Sequence, residues 1–457
     1  MLILLTYILA VSFGGLASIQ EEREMKDSVG HTLAESLKKG RFNFHTRSYF
    51  MSTVNQGELL DYSTLATGAG MGVTSPQWKG FQARFSGFFI FQVFENNLRI
   101  ADPTTGAGNR YEILLFDMND LSNTNRLDRM EELYLSYQRN KFKVIFGRQK
   151  LNSPLLNEQD NRMRPNIFGG LSLYHHGDNL KWTMAWITSM TLRGTTDWYG
   201  VGESFGVYPF GRNPFGEPSK YKFNTQSKGL AMMGLQYQKN GLQLQGWNYW
   251  AENVFNMSFG QAEYKFGKGS LSADLGLQGF YQIPVGQGGN EDVSKRYIMP
   301  EEKTSGIGTK LGLESGRNKV SINFFGINDQ GRFLFPREWG REILFASLPR
   351  ERYEGAGDLK AWVLKYHRKI PVEGMNAQFG LGKVDHSTGV RTNKYGIPSY
   401  YHFTGALDYK FKGFLEGLDV QVLVVNKTAQ KPEEVPDRLR INRVDMWNFN
   451  LVVDYRF

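Results

Sequence analysis

Met446-Trp447-Asn448-Phe449-Asn450-Leu451-Val452-Val453-Asp454-Tyr455-Arg456-Phe457 closes the chain and alternates residue by residue. Successive side chains of an extended strand point to opposite faces. Trp447, Phe449, Leu451, Val453, Tyr455 and Phe457 therefore share one face. Asn448, Asn450, Asp454 and Arg456 share the other, with Val452 as the exception. One face is aromatic and apolar, and the other is wet. A half-buried strand of a soluble sheet fits this pattern. So does a barrel strand with its apolar face in lipid and its polar face on a lumen.

Composition narrows the choice. The chain has 457 residues, 14% aromatics, 51 glycines and no cysteine. The missing cysteines exclude thiolate metal sites, cysteine nucleophiles and disulfides. Mean hydropathy is −0.43, a soluble-looking average. A membrane barrel produces that average, because only alternate strand residues meet lipid. The net charge of +9 raises nucleic acid as a partner, yet no basic helix or zinc pattern supports it. The charge suits a lumen that attracts anions. No later stretch has the length and apolarity of a membrane helix, so a membrane location implies a barrel.

The apolar run Leu2 to Ala17 is followed by Glu21-Glu22-Arg23-Glu24 and reads as a signal peptide, residues 1–17, although no Lys or Arg precedes its core. Residues 18–40 form a periplasmic segment too short for a plug domain. From Arg41 the chain reads as about eighteen antiparallel strands. Short turns such as Lys239-Asn240-Gly241 alternate with long connections, among them 150–166 and 329–357. Short turns at one rim and long loops at the other describe an outer-membrane barrel occupying residues 41–457. A β-propeller would instead repeat in blades of four strands.

The terminal phenylalanine, with Phe449, Leu451, Val453 and Tyr455 behind it, resembles the closing strand of bacterial outer-membrane proteins. Gly147-Arg148-Gln149-Lys150-Leu151-Asn152-Ser153-Pro154-Leu155, with Asp160-Asn161-Arg162-Met163-Arg164-Pro165 and Phe168-Gly169-Gly170, resembles the third-loop segment of the OprD family of porins. Phe335-Pro336-Arg337-Glu338-Trp339-Gly340-Arg341-Glu342, with Pro349-Arg350-Glu351-Arg352 and Glu354-Gly355, is similar to the seventh loop of that family's Bacteroidetes-type members. The resemblance implies an eighteen-stranded barrel, monomeric or loosely trimeric, whose third and seventh loops form an eyelet for small solutes, often carboxylates. It also implies outer-membrane lipid and lipopolysaccharide as surroundings and the barrel-assembly machinery as a reader of the last strand.

Charge in the two loops points the same way. Asp160, Arg162 and Arg164 lie in the first. Arg332, Arg337, Arg341, Arg350 and Arg352 lie in the second, interleaved with Glu338, Glu342, Glu351 and Glu354. Charged rings set selectivity in narrow pores, and guanidinium forks suit carboxylates. Asp160, Arg162, Arg164, Arg337, Arg341, Arg350 and Arg352 are therefore the expected constriction. Strand parity sends Arg47, Arg84, Lys310 and Lys410 into the lumen as a basic ladder. The competing reading has the loop arginines paired with their own glutamates, fixing the loop. Trp339 is expected to be a packing anchor. No cofactor, metal or nucleic acid is expected. A structural or adhesin-like barrel is the alternative to a porin, and a barrel hydrolase a further one. Asp385-His386-Ser387 carries suggestive residue types, but chain neighbours in an extended segment point apart and make no triad.

Overall fold

The computed structural model describes residues 40–457 apart from 124–125, 209–210 and 269. The expected signal and most of the periplasmic segment lie outside these residues. Nineteen strands form one antiparallel sheet that closes on itself. The final strand β19 (Met446–Arg456) pairs with β1 (Arg41–Asn55) in register from His45↔Arg456 to Asn55↔Met446. Phe457 seals the seam: Phe44 N–H donates to its carbonyl at 2.8 Å, and the two rings stack at 5.3 Å. The three-residue β8 (Trp198–Gly200) pairs only with the end of β7 (Leu180–Thr191). Lower down, β7 pairs directly with β9 (Leu230–Lys239). The wall therefore has eighteen strands, as the sequence pattern predicts. Full closure leaves no unpaired edge, which a bilayer requires.

Side-chain parity follows the sequence reading. On β19, Trp447, Phe449 and Leu451 are exposed on the outer surface, whereas Asn448, Asn450, Val452 and Asp454 are buried inside. The outer surface carries an apolar band that includes Phe85, Phe89, Leu275, Ile322 and Leu381. At the short-turn rim, Asn240 (φ 49°) and Gly241 (φ 83°) adopt the left-handed backbone a two-residue hairpin needs.

The long loops turn inward and fill the barrel. Loops 4 (192–229), 6 (285–303) and 7 (328–358) share one apolar cluster with the inner wall. At its centre Trp339 is 0% exposed, packed edge-on to Phe205 at 4.8 Å and Phe335 at 5.5 Å. Its indole donates to Ser204 Oγ at 2.7 Å. Each such side chain contributes about 1.5–3 kcal/mol by leaving water. The expectation of a packing role for Trp339 matches this placement.

Candidate functional site

Loops 3 (150–166) and 7 meet along a backbone-mediated seam. Asn157 Nδ2 donates to the Arg341 carbonyl at 2.8 Å, and Arg341 N–H returns to Asn157 Oδ1 at 3.0 Å. Asn166 Nδ2 donates to the Glu338 carbonyl at 2.7 Å, and Ile343 N–H to the Pro154 carbonyl at 2.9 Å. The loops approach so closely at Gly340 that a Cβ there would sit 2.0 Å from the Leu155 carbonyl oxygen. Only glycine fits that contact. Loop 4 joins the seam through Tyr208 N–H on Glu338 Oε1 (2.9 Å) and Arg193 N–H on Asn166 Oδ1 (2.8 Å).

The loop 3–loop 7 seam is tied to the wall at two places. Arg47, on β1, points inward as parity predicts and is 1% exposed. It grips Asp454 through Nε (2.8 Å) and Nη2 (3.1 Å), and Asp160 of loop 3 through Nη1 (2.6 Å). It also donates to the Arg162 carbonyl. Burial pushes the Asp160 carboxyl up, but Arg47 and Arg456 outweigh it and hold it well below the usual carboxylate range. The second tie is in loop 7. Arg350 donates to Asn448 Oδ1 (3.0 Å) and the Tyr49 hydroxyl (2.9 Å). Glu351 accepts from His402 Nδ1 (2.8 Å), Lys427 Nζ (3.4 Å) and the Tyr400 hydroxyl. Arg350 itself has φ +64°, a left-handed conformation unusual for a non-glycine residue, and it persists because both flanks are anchored.

The predicted constriction residues separate into two groups. Arg164 is 0% exposed and donates to the carbonyls of Leu127 (2.8 Å) and Thr195 (3.2 Å). Arg337 pairs with Glu354 at 2.6 Å and stacks on Tyr395 at 3.6 Å. Arg332 pairs with Glu302 at 2.6 Å. These contacts are scaffold contacts; full burial corrects the expectation that Arg164 faces solute, whereas Arg337, held by Glu354, keeps some accessible surface. Arg341, Arg350, Arg352 and Asp160 keep accessible surface. Arg352 is paired with Glu342 at 2.8 Å, so the self-pairing alternative holds for part of the set.

Beside these partly buried arginines lie Arg162 and Arg193, both buried, neither with a carboxylate partner among the described residues. Burial, then Arg350 and Arg193, push the Arg162 guanidinium well below its ordinary value. Burial, then Arg352, bring Arg341 down to about 10. Five guanidiniums from loops 3, 4 and 7 thus repel one another in a dry site, an arrangement that a bound anion relieves. Arg193 was not among the predicted residues. It follows directly on β7 in a long loop, and no local motif marks it.

The ladder residues all face inward, but not as bare charges. Arg84 pairs with Glu132 at 2.7 Å. Lys310 pairs with Asp274 at 2.6 Å and also with Glu263. Lys410 stands at the end of its strand opposite Asp419. Lys365, which the sequence reading passed over, has the same inward parity on β15 (Leu359–Lys369). No group of three or more potential metal ligands occurs among the described residues. The suggestive Ser387 binds Thr392 through its hydroxyl, and among the described residues the His386 ring nitrogens have no hydrogen-bond partner, so no relay runs through them there.

Structural comparison supports the architecture. The chain is similar to Pseudomonas aeruginosa OpdK solved with vanillate (TM-score 0.70, 14% identity, 92% of this chain and 99% of that one). It is similar to Acinetobacter baumannii OccAB4 (0.71, 14%, 92% and 98%) and to P. aeruginosa OccK9, also called OpdG (0.71, 12%, 92% and 99%). No sequence among functionally curated proteins matches it. The sequence profile described as outer membrane porin, OprD family, matches residues 128–375, which include loops 3 and 7. With more than half of the chain inside that match and the whole barrel aligned on porin structures, the chain belongs to the OprD family of outer membrane porins.

Proposed function

We propose that this porin passes small anionic solutes, carboxylates foremost, by passive and partly selective diffusion. The observation that carries the reading is the convergence of Arg162, Arg193, Arg341, Arg350 and Arg352 on the loop 3–loop 7 seam, where Glu342 is the carboxylate paired into the set among the described residues. Planar forks in a low-dielectric gap suit a carboxylate better than a chloride. The vanillate bound in one structural neighbour is an aromatic carboxylate, in keeping with that chemistry. We assign no enzymatic role, because the site offers donors and cations but no positioned nucleophile and base. The last strand, ending in Phe457, is the segment we expect the assembly machinery to read. A monomer or a loose trimer both suit a closed wall.

The test is planar-bilayer recording of the refolded protein under a salt gradient. An anion-selective reversal potential is expected, and Arg350→Gln should move it towards zero. Carboxylates should interrupt the current in a concentration-dependent way. Cation selectivity in the wild type would overturn the arginine-eyelet reading while keeping the channel. An absence of current from folded barrels would favour the structural alternative.

A further inference from the structure

The outer wall near the long-loop rim carries charge where lipid is expected. On β15, Lys360 points outward one rung above Trp362, and on β16 (Met375–Asp385) Lys383 points outward as well. Among the described residues Lys360 has no ion-pair partner. Lys383 meets Asp385 at 3.4 Å, a half-exposed pair of little strength. Asp385 is also engaged by Gln430 Nε2 at 2.9 Å.

The strand registers stack this surface into layers. The top row is Gly326–Lys360–Asp385. The second is Phe324–Trp362–Lys383–Tyr401–Thr428, with the Phe324 and Trp362 rings 4.6 Å apart. The third is Ile322–Leu364–Leu381–Phe403–Asn426. In the fourth row Gly405, beside Phe379, leaves the wall without a side chain. Of these, Trp362, Lys383, Tyr401, Leu364, Leu381 and Phe403 line an outward groove of about 560 Å³, with Lys360 one rung above it. Polarity therefore runs from the Lys360 and Lys383 ammonium groups, through amphipathic rings, to a mainly hydrocarbon row within three rungs. A phosphorylated, acylated lipid of the outer leaflet has that gradient, and basic pockets on a membrane wall recognise such headgroups.

We propose that the outer face of β14–β17 (β14, Asn318–Ile327; β17, Tyr400–Lys410) binds a phosphoglycolipid of the lipopolysaccharide type. Its phosphate lies against Lys360 and Lys383, and an acyl chain lies along Leu364, Leu381 and Phe403. The site is separate from the pore and holds whether or not the eyelet selects anions.

The test is native mass spectrometry of the folded, detergent-solubilised protein titrated with bisphosphorylated lipid A, dephosphorylated lipid A and phosphatidylglycerol. Wild type should prefer bisphosphorylated lipid A. Lys360→Ala with Lys383→Ala should weaken it roughly thirtyfold, about fivefold per lysine. Lys360→Arg with Lys383→Arg should restore it, and conductance should be unchanged because both residues lie outside the lumen. Heat-modifiable gel mobility reports folding, and Lys360→Ala alone serves if the double variant fails to fold. Equal binding by wild type and the alanine variants would overturn the site. Equal binding of phosphatidylglycerol and lipid A would overturn the glycolipid assignment.

Discussion

Replacing Arg47 by Met removes the clamp that holds the tip of loop 3 to the wall. The guanidinium is almost fully buried and spans Asp454 on one side and Asp160 on the other. Methionine keeps the length and apolar stem but leaves both carboxylates without their main cation. Asp454 then retains His45 at 2.7 Å, and Asp160 retains only the distant Arg456 at 3.6 Å. Removing one partner of a buried ion pair costs about 3–5 kcal/mol. The lower figure moves the seated-to-released equilibrium of the loop tip by more than a hundredfold, at about 1.4 kcal/mol per tenfold. The barrel itself is held by eighteen strands and stays folded. Hydrogen exchange over 158–163 should therefore quicken by about two orders of magnitude, while exchange in β1 and β19 changes little. Single-channel records should become noisier, and the reversal potential should shift towards cations because one positive charge is gone. A folded variant with wild-type exchange, noise and reversal potential would refute the clamp. The pH dependence has a definite sign. Asp160 is depressed in the folded state, so its contribution is fully present above the unfolded carboxyl value near 4. It is lost only as pH falls below that towards the depressed value. The Asp160 contribution to seating loop 3 should be constant from about pH 5 to 8, by the same linkage.

Two further perturbations separate the seam from the clamp. Gly340→Ala puts a methyl against the Leu155 carbonyl and the Asn157 amide, both backbone. The resulting strain of about 1–3 kcal/mol should accelerate exchange at Asn157 and Ile343 without moving the barrel's thermal transition, and unchanged exchange would show that the loops can shift freely. Glu338 is the opposite case to Asp160: burial brings its carboxyl up from 4.5 to about 7, so ionising it becomes a penalty that grows as pH rises through that window. Glu338→Gln keeps the oxygen that accepts from Tyr208 and should stabilise loop 7 by up to about 3 kcal/mol above pH 7, with no gain below pH 4.5. Equal protection of loop 7 in the two proteins at pH 8 would contradict it.

The wall was legible in the sequence because its code is local. A period of two sorts lipid from lumen without any knowledge of the fold, so Phe449, Leu451 and Phe457 on one side and Asn448, Asn450 and Asp454 on the other could be placed directly. Turn chemistry at Asn240-Gly241 and the contrast of short and long connections supplied strand number and polarity. The inward parity of Arg47, Arg84, Lys310 and Lys410 was legible for the same reason. What those cations do was not. Whether an inward lysine is free or matched, as Lys310 is by Asp274, depends on which side chains the neighbouring strands bring opposite it.

The loops obey no such period, so their side chains take partners that only the closed barrel brings near. Arg164 and Arg337 look like eyelet residues in the one-dimensional chain, yet Leu127, Thr195, Glu354 and Tyr395 surround them in space. Arg193 enters the arginine cluster from a third loop with no motif to mark it. Strand alternation in the sequence by itself determined a closed eighteen-stranded membrane wall with a polar interior. The tertiary structure decided which loop arginines are wholly buried in scaffold contacts and which keep accessible surface. Inside a filled barrel, long-range packing and desolvation, rather than residue type, govern which charges stay unpaired.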